Sequence, residues 1–153
     1  MFDWVVKYLG FLKHVPVLPH VFDALLKLTS LLTNKNLPDY IDEIETEVLS
    51  WQHTHVSAHK YGGLQFNINT TELGHIHGNG LLDILLNREQ KFLLMKQYPV
   101  QDHHIFKNSG WISFWIKTME DKQTAVALLR YVYDLKIPSP DLRPRRVKDL
   151  ETL

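Results

Sequence analysis

The spacing of the hydrophobic residues changes near residue 50, and this change restricts the fold more than any other feature of the sequence. Before it, apolar side chains recur every three or four positions, as at Val5, Leu9 and Leu12, which predicts helices. After it, apolar and polar residues alternate, most clearly along 64–69, which predicts a half-buried strand. Helices followed by consecutive strands favour an α+β fold, with a mainly antiparallel sheet and helices packed on one face.

About three helices are predicted before the sheet. The first covers 5–12 and ends ahead of Pro16, and the second covers about 20–32. The third begins near Asn36, where a capping residue and Pro38 favour a helix start. Later in the chain, the same reasoning predicts strands at 72–77, 81–86 and 111–117, and helices at 88–97 and about 120–135.

The length of 153 residues is typical of one domain. We therefore expect a single domain over 1–153, with a helical N-terminal part at 1–49 and an α+β core at 50–135. The segment 138–153 is rich in proline and arginine, and we expect it to be a mobile tail.

The composition excludes several classes of function. The chain has no cysteine, which removes disulfides, thiolate metal sites and a cysteine nucleophile. Lys+Arg and Asp+Glu both number 17, and this balance counts against general binding to nucleic acid. Charges and prolines interrupt the apolar N-terminal stretch, so we expect no leader peptide, no membrane span and a cytoplasmic location. Contact of the N-terminal helices with a membrane surface or a partner is left open.

Histidines are concentrated in the middle of the chain, where seven of the nine lie between residues 53 and 104. Histidine is the usual side chain for proton transfer near neutral pH and the commonest metal ligand. His75 and His77 share one face of their predicted strand, opposite Ile76. His53 and His55 would share a face with His59 only if their strand stays regular.

Histidines of this region, together with nearby carboxylates and tryptophans, form a candidate site. We expect no metal and no other cofactor, because no HExxH or comparable ligand spacing is present. The competing interpretation is that the histidines are solvated and that the tryptophans pack in the core. The candidate catalytic residues are His75, His77, His104, Glu72 and Asp83, and the candidate substrate-binding residues are His59, Trp111 and Trp115.

The segment Glu72-Leu73-Gly74-His75-Ile76-His77-Gly78-Asn79-Gly80-Leu81-Leu82-Asp83 resembles the luciferase-domain family. That family includes uncharacterised bacterial proteins and the fungal luciferases. The resemblance continues through 59–66, 102–104 and 109–114 and covers about 48–135, so that the α+β core is luciferase-like. A fainter likeness, in the order of elements and in the strand and helix at 111–133, is to the MmcQ/YjbR-type fold.

The resemblance implies a function without defining the reaction. Fungal luciferases oxidise a hydroxylated pyrone with molecular oxygen, without a metal or organic cofactor. They are longer than this chain and differ from it around His59 and Asp83, and distant members of one fold often differ in chemistry. The positions they share with this chain are Glu72, His75, His77, His104 and Trp111.

Three functional interpretations therefore remain. The first is an enzyme that acts on a small hydroxylated or aromatic molecule, with His75 or His77 as the base and Glu72 or Asp83 to orient it. The second is a binding module without catalysis, for a small molecule, a protein or nucleic acid. The third is an interaction domain that docks through its N-terminal helices. A weak homo-oligomer is also left open.

Overall fold

The computed structural model describes residues 21, 24, 25 and 34–137. The predicted helix at 5–12 and the tail at 138–153 lie outside these residues. So does the predicted helix at 20–32, except for Val21, Ala24 and Leu25, which are helical. The elements within 34–137 are, in chain order, α1 (Leu37–Leu49), β1 (Thr54–Ala58), β2 (Leu64–Ile68), β3 (Thr71–Ile76), β4 (Leu81–Leu85), α2 (Arg88–Gln97), β5 (Gln101–Asp102), β6 (Trp111–Trp115) and α3 (Met119–Lys136).

The six strands described here form one antiparallel sheet in the order β1-β2-β3-β4-β6-β5. Consecutive strands from β1 to β4 are neighbours, and β6 lies between β4 and the short β5. The prediction of an α+β fold with a mainly antiparallel sheet is therefore confirmed.

Two neighbouring rows of residues show that the sheet has one apolar and one polar face. Because successive side chains of a strand point to opposite faces, rows that are one residue apart lie on different sides. The apolar row crosses four strands through Leu64, Ile76, Leu82 and Phe114. The polar row, one residue away, runs through Gln65, His75, Asp83 and Ser113.

The helices α1 and α3 pack against each other, and α3 also packs against β3. A Cβ atom added at Gly74 would lie 3.2 Å from Cδ2 of Leu129, so the leucine side chain packs directly on the backbone of β3. Leu129 and Val132 of α3 are fully buried together with Ile44 of α1. Removal of these apolar surfaces from water is the main favourable term that fixes the helices on the sheet.

The helix boundaries follow from capping residues. Asn87 and Gln90 form a capping box at the start of α2, which satisfies backbone N–H groups that have no partner within the helix. Thr118 and Asp121 form the corresponding box for α3. The prediction of a helix at 88–97 is confirmed at both ends, and that at 120–135 is confirmed to within one residue. Among the described residues, no helix has the length and apolar character needed to cross a bilayer.

Candidate functional site

Asp83 lies at the centre of the polar face of the sheet. Its side chain is fully buried, and its Oδ1 accepts a short hydrogen bond from the hydroxyl of Ser113 on β6. Three histidine ring nitrogens face the other oxygen, Oδ2, which forms no hydrogen bond of normal geometry. The distances from Oδ2 to the Nε2 atoms are 3.3 Å for His77, 3.7 Å for His75 and 3.6 Å for His103.

His75 and Glu72 form a hydrogen-bonded pair on β3. Nδ1 of His75 is 2.6 Å from Oε1 of Glu72, and the His75 side chain is only 6% exposed. Burial raises the pKa of Glu72, but the hydrogen bond and the charge of His75 outweigh it and hold the pKa below its usual value. Glu72 is therefore an ionised acceptor near neutral pH, and Nδ1 of His75 carries the proton of this bond.

His59 stacks on His75 because a tight turn folds the chain back after β1. The ring centroids are 3.7 Å apart, and the rings are almost parallel. Gly63 shapes this turn with a φ of +94°, and a Cβ there would lie 2.3 Å from the carbonyl oxygen of Ile76, which leaves room only for glycine. Burial lowers the pKa of His59 to about 4, and the charge of His75 acts in the same direction.

His77 lies where the hairpin of β3 and β4 opens into its turn. Its backbone N–H donates to the carbonyl of Leu81, and its own carbonyl accepts from Gly80, which has a φ of +83°. The turn thereby holds the His77 ring beside Asp83, at right angles to that of His75 with 5.0 Å between the centroids. The predicted common face of His75 and His77 is thus present in the structure.

His103 and His104 reach the site from the loop between β5 and β6. Backbone N–H groups of Ile105 and Phe106 donate to Nδ1 of His103, so the proton of its neutral ring is on Nε2, which faces Asp83. Burial lowers the pKa of His103 to about 4, although the charge of Asp83 acts in the opposite direction. His104 stacks on His103 with 4.4 Å between the centroids.

The ammonium group of Lys91 holds the loop between β5 and β6 in position. It donates to the carbonyl oxygens of Lys107, Ser109 and Trp111, each at 3.0 Å, and forms an ion pair with Asp102 at 2.6 Å. Few lysines are buried, and one that contacts three carbonyl oxygens and a carboxylate is satisfied within the protein. Lys91 therefore connects α2 to the segment that carries both histidines.

Trp111 forms one side of the histidine group. Its ring centroid is 5.7 Å from those of both His75 and His103. Trp115 lies on the same face of β6, two residues beyond Ser113, and its ring contacts the ammonium of Lys117. The interpretation of Trp111 as a wall of the site agrees with this geometry, whereas the contact shown for Trp115 is with a charged side chain.

The charge on Asp83 is consistent with these contacts. Burial raises the pKa of Asp83, but the nearby His77 ring, the hydrogen bond from Ser113 and the electrostatic interaction with His103 outweigh burial and hold the pKa below its usual value. Within the part of the chain that the structure describes, three groups of side chains have ligand atoms that lie within 4.8 Å of one another and could hold a metal ion. These are His59, Glu72 and His75; His75, His77 and Asp83; and Asp83, His103 and His104.

Residues 70–131 match a family model described as Luciferase domain. This segment, less than half of the chain, is therefore similar to the luciferase-domain family. The match begins just before β3 and ends within α3, so it contains Glu72, Asp83 and the histidines at 75, 77, 103 and 104 but leaves β1, β2 and His59 outside. No curated protein and no solved structure matches the chain. The fainter likeness to the MmcQ/YjbR-type fold gains no support from these comparisons.

Two residues of the matched segment that contact Asp83 were not among the candidates from the sequence. His103 was passed over in favour of its neighbour His104, because nothing in a loop sequence indicates which of two adjacent side chains points inward. Ser113 looked like one polar residue in an alternating strand, and the pairing of β4 with β6 places it opposite Asp83. The alternation did indicate that Ser113 shares a face with Trp111.

The histidines at the start of β1 do not join the site. The strand runs only over Thr54–Ala58, so the condition of a regular strand from His53 to His59 fails. His53 lies in a turn with a φ of 63°, and both His53 and His55 are exposed. A separate groove between α1 and α3 is lined by residues such as Glu43 and Lys122, which form an ion pair, and contains no candidate residue.

Proposed function

We propose that the polar face of the sheet is the active site of an enzyme that acts on a small hydroxylated or aromatic molecule. The observation that carries the proposal is the convergence of His75, Glu72 and Asp83 with the ring of Trp111. Ionisable groups buried together beside an aromatic ring cost stability unless they are compensated, and such clusters are concentrated at functional sites.

The chemistry of the group supports proton transfer from a substrate hydroxyl. Glu72 holds His75 in one orientation through a bond of 2.6 Å, as a carboxylate does for a histidine base. His77 and His104 are less buried than His75, and they are the histidines that a ligand from solvent reaches first. A planar ring placed against Trp111 would bring its hydroxyl groups next to these imidazoles.

The luciferase-domain match adds to the choice of substrate class. The fungal luciferases that the sequence resembles act on a hydroxylated pyrone, a planar molecule with an acidic hydroxyl group. Because the residues around His59 and Asp83 differ between them and this chain, the substrate class is proposed here and the luciferase reaction is not.

The experiment is a screen of hydroxylated aromatic compounds and pyrones with the full-length chain, recorded by oxygen uptake and by substrate absorbance. We expect turnover of at least one compound, with a loss of about 10²–10⁴-fold in His104→Ala and His77→Ala. His55→Ala, which removes an exposed histidine outside the site, is the matched control and should keep full activity.

The same experiment tests the alternative of a binding module without catalysis. Compounds that bind in a thermal-shift assay but are not converted, with binding lost in Trp111→Ala, would favour that alternative over an enzyme. Activity that survives in each of His75→Ala, His77→Ala and His104→Ala would show that the chemistry occurs elsewhere on the protein.

A further inference from the structure

All three distances at Oδ2 of Asp83 are longer than those of good hydrogen bonds, and Oδ2 forms none. Good N–H···O hydrogen bonds have donor–acceptor distances of about 2.7–3.2 Å, and a contact beyond about 3.5 Å is not one. The nitrogens of His77 and His75 lie 3.3 and 3.7 Å from this oxygen. A fully buried carboxylate oxygen without a hydrogen bond needs another partner, because burial of an uncompensated polar group is costly.

The same distances are close to those between ligands of one metal ion. Imidazole nitrogens and carboxylate oxygens bind zinc and similar ions at about 2.0–2.2 Å, so two ligands at tetrahedral or octahedral angles are about 2.9–3.6 Å apart. The separations from His77 and His75 to Asp83 fall within or just beyond this range. The ligand atoms of the three residues all lie within 4.8 Å of one another.

The protons on the rings are also arranged as in a metal site. Nδ1 of His75 donates to Glu72, which leaves the lone pair of Nε2 directed towards Oδ2 of Asp83. Two acceptor atoms that face each other require a cation between them or a second proton on the ring. The carboxylate that receives the outer N–H of a ligating histidine is a regular feature of metal sites.

We propose that His75, His77 and Asp83 bind a divalent transition-metal ion through Nε2, Nε2 and Oδ2. Glu72 orients His75, and Ser113 orients Asp83 through its other oxygen. His103 is not a ligand, because its Nδ1 accepts two backbone N–H groups and its Nε2 carries the proton. Imidazole and carboxylate ligands suit iron, zinc and cobalt, and two histidines with one carboxylate leave coordination positions open.

The spacing explains why no metal was expected from the sequence. Motifs such as HExxH place ligands one turn apart on a helix, whereas here the ligands are on a β-hairpin. His75 is paired with Asp83 across β3 and β4, and His77 follows on the same face at the hairpin opening. This inference concerns binding and stands whether or not the domain is an enzyme. If both proposals hold, His75 and His77 act as ligands and His104 is left for proton transfer.

The test is the titration of full-length, untagged, chelator-treated protein with zinc and cobalt(II), followed by calorimetry and elemental analysis, with cobalt absorption as a report on coordination. We expect one ion per chain. Asp83→Asn and His77→Gln should weaken binding by at least about 10-fold, and Glu72→Gln by about 10–100-fold. His55→Gln, which removes an exposed histidine, should bind as the unaltered chain does.

Circular dichroism of each variant separates loss of a metal ligand from loss of the fold. If Asp83→Asn and His77→Gln prevent folding, Glu72→Gln, which changes a partly exposed side chain, still tests the inference. Absence of a stoichiometric ion in the unaltered chain would overturn the inference. Equal affinity in Asp83→Asn and His77→Gln would do so as well. A bound ion without turnover in the substrate screen would contradict the proposed function alone, and turnover in fully metal-free protein would contradict a metal role in it.

Discussion

The side chain of Asp83 is fully buried, and a buried carboxylate lowers stability unless neighbouring groups compensate its charge. Here the compensation comes from different parts of the chain: the hydroxyl of Ser113 on β6, the ring of His77 after β3 and the ring of His103 in a loop. Oδ1 of Asp83 thus has a hydroxyl donor, whereas Oδ2 has only ring nitrogens at longer distances. Oδ2, and not Oδ1, is therefore the proposed ligand atom of Asp83.

Removal of the Ser113 hydroxyl should show how much its hydrogen bond to Asp83 contributes to stability. Hydrogen bonds to charged groups contribute about 1.5–3 kcal/mol, so Ser113→Ala should lower the free energy of unfolding by that amount. Urea unfolding of metal-free protein measures the effect, and Thr46→Ala, at an exposed position on α1 where the hydroxyl donates to the carbonyl of Asp42 in the same helix, is the control with an expected change of less than about 1 kcal/mol. Equal losses in the two variants would mean that Asp83 does not depend on Ser113.

Mild acid should destabilise the metal-free protein through two buried histidines. The pKa values of His59 and His103 are lowered to about 4 in the folded state, against about 6.5 in the unfolded chain. Between these pH values the unfolded state binds more protons, so the free energy of unfolding falls as the pH decreases from about 6.5 to about 4. The loss should be about 1–3 kcal/mol for each histidine.

Urea unfolding at pH 7 and pH 5 measures this loss. His59→Asn should reduce the difference between the two pH values, and His55→Asn, which changes an exposed histidine, should leave it unaltered. An unfolding free energy that is the same at pH 7 and pH 5 would show that neither buried ring resists protonation.

Among single residues, the sequence indicated the candidate catalytic residues better than the side chains that surround them. His75, His77 and Asp83 stand within one short motif, and the alternation of a strand was enough to place the two histidines on one face. Their burial was not readable, since histidines on an open sheet face are usually solvated. It results from contacts that are distant in sequence, namely the return of His59 over His75 and the position of Trp111.

Among the elements, the loop between β5 and β6 depends on a helix that precedes it. Lys91 of α2 holds three carbonyl oxygens of this loop and of the strand that follows. Lys91→Met keeps the length of the side chain but removes every one of these bonds. We expect faster hydrogen exchange at 103–110 and a loss of stability of several kcal/mol.

Lys96→Met is the matched control, because Lys96 is an exposed residue of the same helix whose ammonium lies over the ring of Phe92. Its exchange pattern at 103–110 should equal that of the unaltered chain. Protection of this segment that persists in Lys91→Met would show that the loop keeps its position without the lysine.

The elements themselves were predictable to different degrees. The end of α2 before Pro99 and the apolar stripe of α3 were predictable because these signals are local, and in the structure capping boxes at Asn87 and Thr118 begin the two helices. The short β5 and the place of β6 beside β4 were not predicted, because strand order depends on pairing between distant segments. The buried position of Lys91 could not be predicted from the sequence either, because an amphipathic helix usually exposes its lysines.

For the molecule as a whole, the sheet separates stability from function. Its apolar face, with Ile76 and Leu82, is covered by helices, and its polar face carries the candidate site. The luciferase-domain match covers the strands that contribute to both faces, from β3 to α3. Changes on the helix side should therefore lower stability while they leave the geometry of the site intact.

Leu129→Ala tests this separation. Leu129 is fully buried on α3 and packs against Gly74, next to His75 but on the other face of β3. A buried leucine replaced by alanine costs about 2–5 kcal/mol, which for a domain of this size lowers Tm by roughly 5–20 °C. Below the transition, the ring NMR signals of His75 and His77 should match those of the unaltered chain, whereas Ser113→Ala should shift them. Leu129 can act on the histidine side of β3 only through the backbone of the strand. Shifted ring signals in Leu129→Ala would therefore mean that the helices also determine the positions of His75 and His77, so that the two faces of the sheet form one cooperative unit.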